Sequence, residues 1–171
     1  LEGADSFLHF LSANQPSGAV PGGSALENEV IQKTDALVEK VQLILDMRKP
    51  INVIVKLYPD KTALQTAYFN IYKKKREYRA WYIFEYNTIY LNVQDLHSEM
   101  FAHEIAHAII DNYLAVRPPR ATAEILARYV DGHLDKTAKV YWKKSFETVN
   151  KKILDGYLGN ELRWCIKNQV Y

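Results

Sequence analysis

The chain has 171 residues, 48% of them hydrophobic and 25% charged, a balance that fits a folded domain with enough chain to bury a sizeable core. Its 22 basic and 20 acidic side chains leave a formal charge of +2, too even to point to nucleic acid or a membrane surface as the main partner. Cys165 is the single cysteine, so an intramolecular disulfide and a cysteine-based zinc site are both excluded, and any metal must be held by histidine and carboxylate.

Residues 1–24 read as a flexible N-terminal segment, because Asn14 to Ser24 is rich in Pro, Gly and Ser and separates the short apolar piece Phe7 to Leu11 from the rest. Residues 25–171 read as one domain. Leu26, Val30, Leu37, Val41 and Ile44 recur at helical spacing, which predicts an amphipathic helix over 25–47 that stops before Pro50. The β-branched run Ile51 to Tyr58 predicts a strand closed by Pro59-Asp60, and a helix follows over 60–73 with Leu64, Tyr68 and Ile71 inward.

Arg79 to Tyr86 and Thr88 to Val93 predict a β-hairpin turning around Tyr86-Asn87, with the aromatics Tyr78, Tyr82, Phe84 and Tyr86 assigned to sheet core and cross-strand pairing. A helix over 96–115 with Asp95 as N-cap comes next and ends at Arg117-Pro118-Pro119. Pro119 opens another helix carrying Ala121 to Asp131, with Gly132 in the C-cap place. Two further helices, 135–155 and 160–168, complete the expectation of an α+β fold with a helical C-terminal region.

The helix over 96–115 carries His103-Glu104-Ile105-Ala106-His107. Residues four apart on a helix differ by about 40° in azimuth and about 6 Å along the axis, so His103 and His107 converge on one side. Glu104 is poorly placed to complete a tetrahedral site with both, yet close enough to take a proton from a water at the metal. A catalytic zinc takes three protein ligands, and Glu124 on the following helix is placed to supply the third. Asp111 and His133 are rival ligands, Asp111 more naturally as an acceptor that orients a histidine, a role open to Asp131 as well. Apolar Phe101, Ile105, Ala108 and Ile109 bury the helix, where two histidines and a carboxylate are costly without a metal or partner.

The stretch Met100 to Ile109, with its uncharged flanks, and Glu124 in an Ala-Glu-Ile-Leu-Ala-Arg-Tyr context resemble the gluzincin branch of zinc metallopeptidases in its compact, single-domain, minigluzincin-like form. The resemblance spans roughly residues 50 to 135. It implies a zincin-like fold, one zinc ion on His103, His107 and Glu124, Glu104 as general base, and an edge strand from Tyr90 through Leu91 and Asn92 to Val93 lying along a bound peptide. The implied activity is endopeptidase cleavage of a peptide or protein substrate. Arg128 departs from the pattern, since the best-known members have an aspartate four residues after the glutamate. Ile110 and Tyr113 stand where a metzincin needs Gly and His. Tyr129, His133, Tyr141 and Tyr157 are all possible donors to an oxyanion.

The alternative expectation is a latent or non-catalytic zinc protein whose cleft is covered by its own N- or C-terminal segment. Lys73-Lys74-Lys75-Arg76 reads as a solvated turn, Arg117 and Arg120 as flanks of the Pro-Pro turn, and His9 and His97 as outside any metal role. The start at Leu1 rather than Met fits a processed form and tilts the expected location towards secretion or the cell envelope.

Overall fold

The computed structural model describes residues 25–92, 94–134 and 162–168. In chain order these form α1 (Ala25–Leu45), β1 (Ile51–Tyr58), α2 (Lys61–Tyr72), β2 (Ala80–Ile83), β3 (Thr88–Asn92), α3 (Ser98–Tyr113), α4 (Arg120–His133) and β4 (Leu162–Asn168). The fold is α+β. The strands form one mixed sheet in the order β2-β3-β1-β4, with β1 parallel to β3 and the outer strands β2 and β4 antiparallel to their neighbours. No helix among the described residues is long and apolar enough to cross a membrane.

Alternation along the strands divides the core. Val53, Val55 and Leu57 of β1 and Ile89 and Leu91 of β3 point to one face, where they pack with Leu37, Val38 and Val41 of α1, Phe101, Ile105 and Ile109 of α3, and Ala127 and Val130 of α4. Trp81, Ile83 and Tyr90 point to the other face, where α2 covers them with Leu64 and Tyr68. Trp81 stacks on Tyr90 at 4.8 Å, and Tyr68 meets Trp81 edge-on at 5.1 Å. The aromatic core of the hairpin is therefore the set Trp81 and Tyr90. Phe84 and Tyr86, expected in the sheet core, stand 41% and 60% exposed in the turn, because the hairpin strands stop at Ile83 and restart at Thr88.

Local chemistry explains most helix ends. The Asp60 carboxylate accepts from the Ala63 N–H at 2.8 Å and starts α2, and Lys73 in the left-handed region closes it by donating to the Phe69 carbonyl at 2.8 Å. At α3 the expected cap is wrong by two residues: the N-cap is His97, whose Nδ1 accepts from Met100 N–H at 3.3 Å. Asp95 instead accepts from Asn92 Nδ2 at 3.0 Å. At α4 Pro119 is the N-cap residue, and the helix runs through Gly132 to His133, so Gly132 is interior and not a cap.

Two sequence expectations are overturned. Residues 162–168 are not helical; they pair antiparallel with seven of the eight residues of β1, from Leu57 opposite Leu162 to Ile51 opposite Asn168. Seven residues make a short helix at best, and the open side of β1 offers every one of them a backbone partner. The strand holding Tyr90, Leu91 and Asn92 is not an edge. It is hydrogen-bonded to β2 on one side and β1 on the other, and its residues are buried. Sequence identifies strands far better than their order, and here the β-branched run of β1 takes β3 as its parallel neighbour. Val93, the N-terminal segment 1–24 and the expected helix 135–155 lie outside the described residues.

Candidate metal centre

The centre is built by two antiparallel helices. Phe101, Ala102, Ile105, Ala106, Ala108 and Ile109 anchor α3 in the core, and this leaves the His103 and His107 side of the helix facing α4. On α4, Ala123, Ala127 and Val130 are buried, and the same registration brings Glu124 over the two histidines. The short connection through Pro118 and Pro119 fixes which turns of the helices meet.

The Glu124 carboxylate sets one oxygen against each of the two neighbouring imidazoles, and one ligand atom from each of the three residues lies within 4.8 Å of the others. His103 Nε2 lies 3.2 Å from His107 Nε2, Glu124 Oε1 is 3.5 Å from His103 Nε2, and Glu124 Oε2 is 3.4 Å from His107 Nε2. A tetrahedral zinc with bonds of about 2.0–2.1 Å places neighbouring ligand atoms about 3.3–3.4 Å apart. The spacing of the side chains is thus that of a zinc edge. Chemistry agrees with geometry: His103 Nδ1 is held by Asp131 Oδ2 at 3.0 Å, which leaves its Nε2 as an acceptor beside a second imidazole and a carboxylate. Three acceptors at this distance repel unless a cation or a proton lies among them. The residues present fit a zinc ion.

Asp131, one of the two residues expected to orient a histidine, is the one that reaches a histidine of the cluster. It sits two turns after Glu124 on the same helix and reaches His103, whereas Arg128 turns back to Glu124 Oε1 at 3.4 Å. Asp111, the rival ligand, is committed elsewhere, with Arg117 Nε 3.0 Å from its Oδ2. His133 stacks on Tyr129 at 3.8 Å and bonds that residue's carbonyl, within the last turn of α4. Tyr141 and Tyr157 lie outside the described residues.

Burial and charge tune each group differently. The hydrogen bond to Asp131 raises the pKa of His103 above the usual imidazole range against the opposing effect of burial. Burial lowers that of His107, helped by the charge of His103. Glu104 is buried, and burial pushes its carboxyl up to about 7, opposed by His103 and by the backbone N–H of Tyr82 in β2. A carboxyl near 7 gives and takes protons with little bias at neutral pH.

Sequence reasoning missed the contribution of β2. Arg79 carbonyl accepts from Asn92 N–H at 3.3 Å, so by strict alternation Trp81 and Ile83 also turn their backbone groups to β3, while those of Ala80 and Tyr82 face the side of β2 that carries no strand among the described residues. That side runs beside Glu104. Its position is fixed by a polar knot at the end of the hairpin. Tyr82 hydroxyl donates to Asn87 Oδ1 at 2.8 Å, Asn112 Nδ2 of α3 donates to the same oxygen at 3.0 Å, and Asn87 Nδ2 donates to the Asn52 carbonyl of β1. Asn87 has φ 44°, a left-handed conformation that asparagine tolerates better than most residues. Arg117 lies over the Phe84 ring at 4.6 Å and 3.9 Å from Glu85, tying the turn to the end of α3. The only advance signal was Asn87, the turn residue of the hairpin.

No protein-family model, no curated protein and no solved structure matches this chain.

Proposed function

We propose that the chain is a zinc-dependent peptidase of gluzincin type, acting on peptide or protein substrates. The observation that carries this reading is the cluster of His103, His107 and Glu124, whose imidazole nitrogens and carboxylate oxygens approach one another at 3.2 to 3.5 Å, close to the ligand spacing around a tetrahedral zinc, with the Glu104 carboxyl buried one residue away. A metal alone would support a structural site. The buried carboxyl with a pKa near 7 is what favours hydrolysis, because a structural site has no use for a desolvated acid.

Zinc bound there supplies Lewis acidity to a scissile carbonyl and makes water a stronger acid. His103, His107 and Glu124 would hold the ion, and Asp131, bonded to His103 Nδ1, would keep Nε2 of that histidine available to it. Glu104 accepts a proton from the attacking water and delivers it to the departing amine nitrogen, so the carboxylate is restored at the end of each turnover. The Tyr82 N–H stabilises its ionised form. An extended substrate adds to the sheet beside β2, pairing with the main-chain groups of Ala80 and with the Tyr82 carbonyl while the Tyr82 N–H stays on Glu104, and so passes in front of that carboxyl. This assigns to β2 the role that the sequence resemblance gave to Tyr90, Leu91, Asn92 and Val93.

The decisive variant is Glu104→Gln, which retains shape and hydrogen bonding but cannot take a proton. We expect it to bind one zinc and unfold at the same temperature as the parent, while cleavage of a casein or mixed-peptide substrate falls by about a hundredfold or more. Parent-like cleavage by the zinc-loaded variant would overturn the mechanism. A zinc-loaded parent that cleaves no peptide would leave the site structural.

A further inference from the structure

Residues 73–76, just beyond α2, read Lys-Lys-Lys-Arg, and all four are exposed. Nearby cations are neutralised: Lys61 bonds Glu77 at 2.9 Å, and Arg79 lies 3.7 Å from Asp95. No such carboxylate faces the four residues of the run among the described residues. Because the whole chain carries only +2, these four charges stand on a molecule that is otherwise net acidic. Whole-chain balance conceals the imbalance.

The same end of the molecule exposes apolar rings. Phe69 and Tyr72 in the last turn of α2 are 42% and 41% exposed, and Tyr86 in the hairpin turn is 60% exposed. Tyr72 stacks obliquely on Tyr68 at 4.5 Å, and Glu85 and Tyr86 lie near enough for their charges to add to the burial that raises its hydroxyl pKa. A helix end and a hairpin turn therefore present rings and cations together. A solvated turn needs the cations alone; here three exposed aromatic side chains stand beside them.

We propose that the end of α2 and the adjoining hairpin turn dock on an anionic lipid bilayer, with Lys73, Lys74, Lys75 and Arg76 against the headgroups and Phe69, Tyr72 and Tyr86 at the level of the interface. Charge complementarity selects an acidic partner, since each cation near an anionic leaflet contributes on the order of 1 kcal/mol. The exposed rings select lipid, because tyrosine and phenylalanine beside cations suit the headgroup boundary, where aromatic side chains are enriched. The surface is independent of the metal centre, so this inference stands or falls apart from the peptidase reading.

Flotation of the full 171-residue chain with phosphatidylcholine vesicles, with and without 30% phosphatidylserine, tests it. We expect binding to the serine-containing vesicles only, weakened by salt, in a protein with unchanged zinc content. The triple variant Lys74→Glu, Lys75→Glu, Arg76→Glu should lower partitioning on the order of a hundredfold. Phe69→Ser with Tyr72→Ser should lower it several-fold while retaining salt dependence, and both variants should keep the parent's thermal transition. Absence of flotation at about 0.1 M salt, equal flotation of the charge-reversed variant, or preferential capture by polyglutamate or single-stranded RNA would each overturn the proposal.

Discussion

At the scale of single residues, position and burial turn common side chains into specialised ones. Asp131 is the clearest case: it touches no ligand position itself but holds His103 Nδ1 at 3.0 Å. We expect Asp131→Ala to weaken zinc affinity about 10–100-fold in competition with a chromogenic chelator, whereas Asp111→Ala should leave it unchanged, since Asp111 serves Arg117. Away from the site, burial pushes the Asp35 carboxyl of α1 up from 3.8 to about 6. A carboxyl raised in this way favours the fold while protonated. Its contribution is present below pH about 4, is lost as pH climbs to about 6, and stays lost at neutrality. Asp35→Asn should therefore raise stability by about 2 kcal/mol at pH 7 and by little at pH 4, read from urea unfolding at both values. That His103, His107 and Glu124 come together was legible in the sequence, because their meeting depends on spacing along one helix and on a turn to the next. Tyr82 was not, because its part is played by a backbone N–H, which every residue has.

At the scale of elements, the helices and the hairpin were readable and the sheet edges were not. Helical periodicity and capping residues act within a few positions, and they located α1, α2, α3 and α4 to within about two residues. Strand order depends on which strands meet across the whole chain, so β3 passed for an edge and β4 for a helix. Gly132 shows the limit of local rules. It looked like a helix stop, but α4 continues to His133, and a Cβ added at Gly132 would meet nothing within 4 Å. Glycine there costs backbone entropy for no steric gain. We expect Gly132→Ala to stabilise the protein by about 0.5–1 kcal/mol, measured as a higher urea midpoint with unchanged slope, and to leave zinc binding untouched.

At the scale of the whole molecule, the cluster of His103, His107 and Glu124 joins α3 to α4 while the polar knot of Asn87, Tyr82 and Asn112 joins α3 to the hairpin and, through the Asn52 carbonyl, to β1. Zinc is thus expected to be a structural staple as well as a reagent. With free zinc about a thousandfold above its dissociation constant, binding adds about 4 kcal/mol, and for a chain of this size removal by EDTA should lower the thermal midpoint by roughly 10 °C. A midpoint indifferent to EDTA and to added zinc would remove the ion from the account. The expected cover from a helical C-terminal tail changes character at this scale too, since residues 162–168 belong to the sheet. Deleting the chain after Gly159 would strip a strand from β1 and leave its hydrogen-bonding groups bare, a test of aggregation more than of latency.

That strand also bears on how the molecule is made. β1 acquires its neighbour β3 after one helix and one short strand, but its other neighbour, opposite residues 51 to 57, is drawn from residues 162 to 168. Closing so long a loop is entropically costly and comes late, so the sheet should assemble in two kinetic phases, an early one around the hairpin and α3 and a slow one as β4 docks. Until the second phase ends, β1 is the aggregation-prone edge, which makes the refolding yield of this protein sensitive to its concentration.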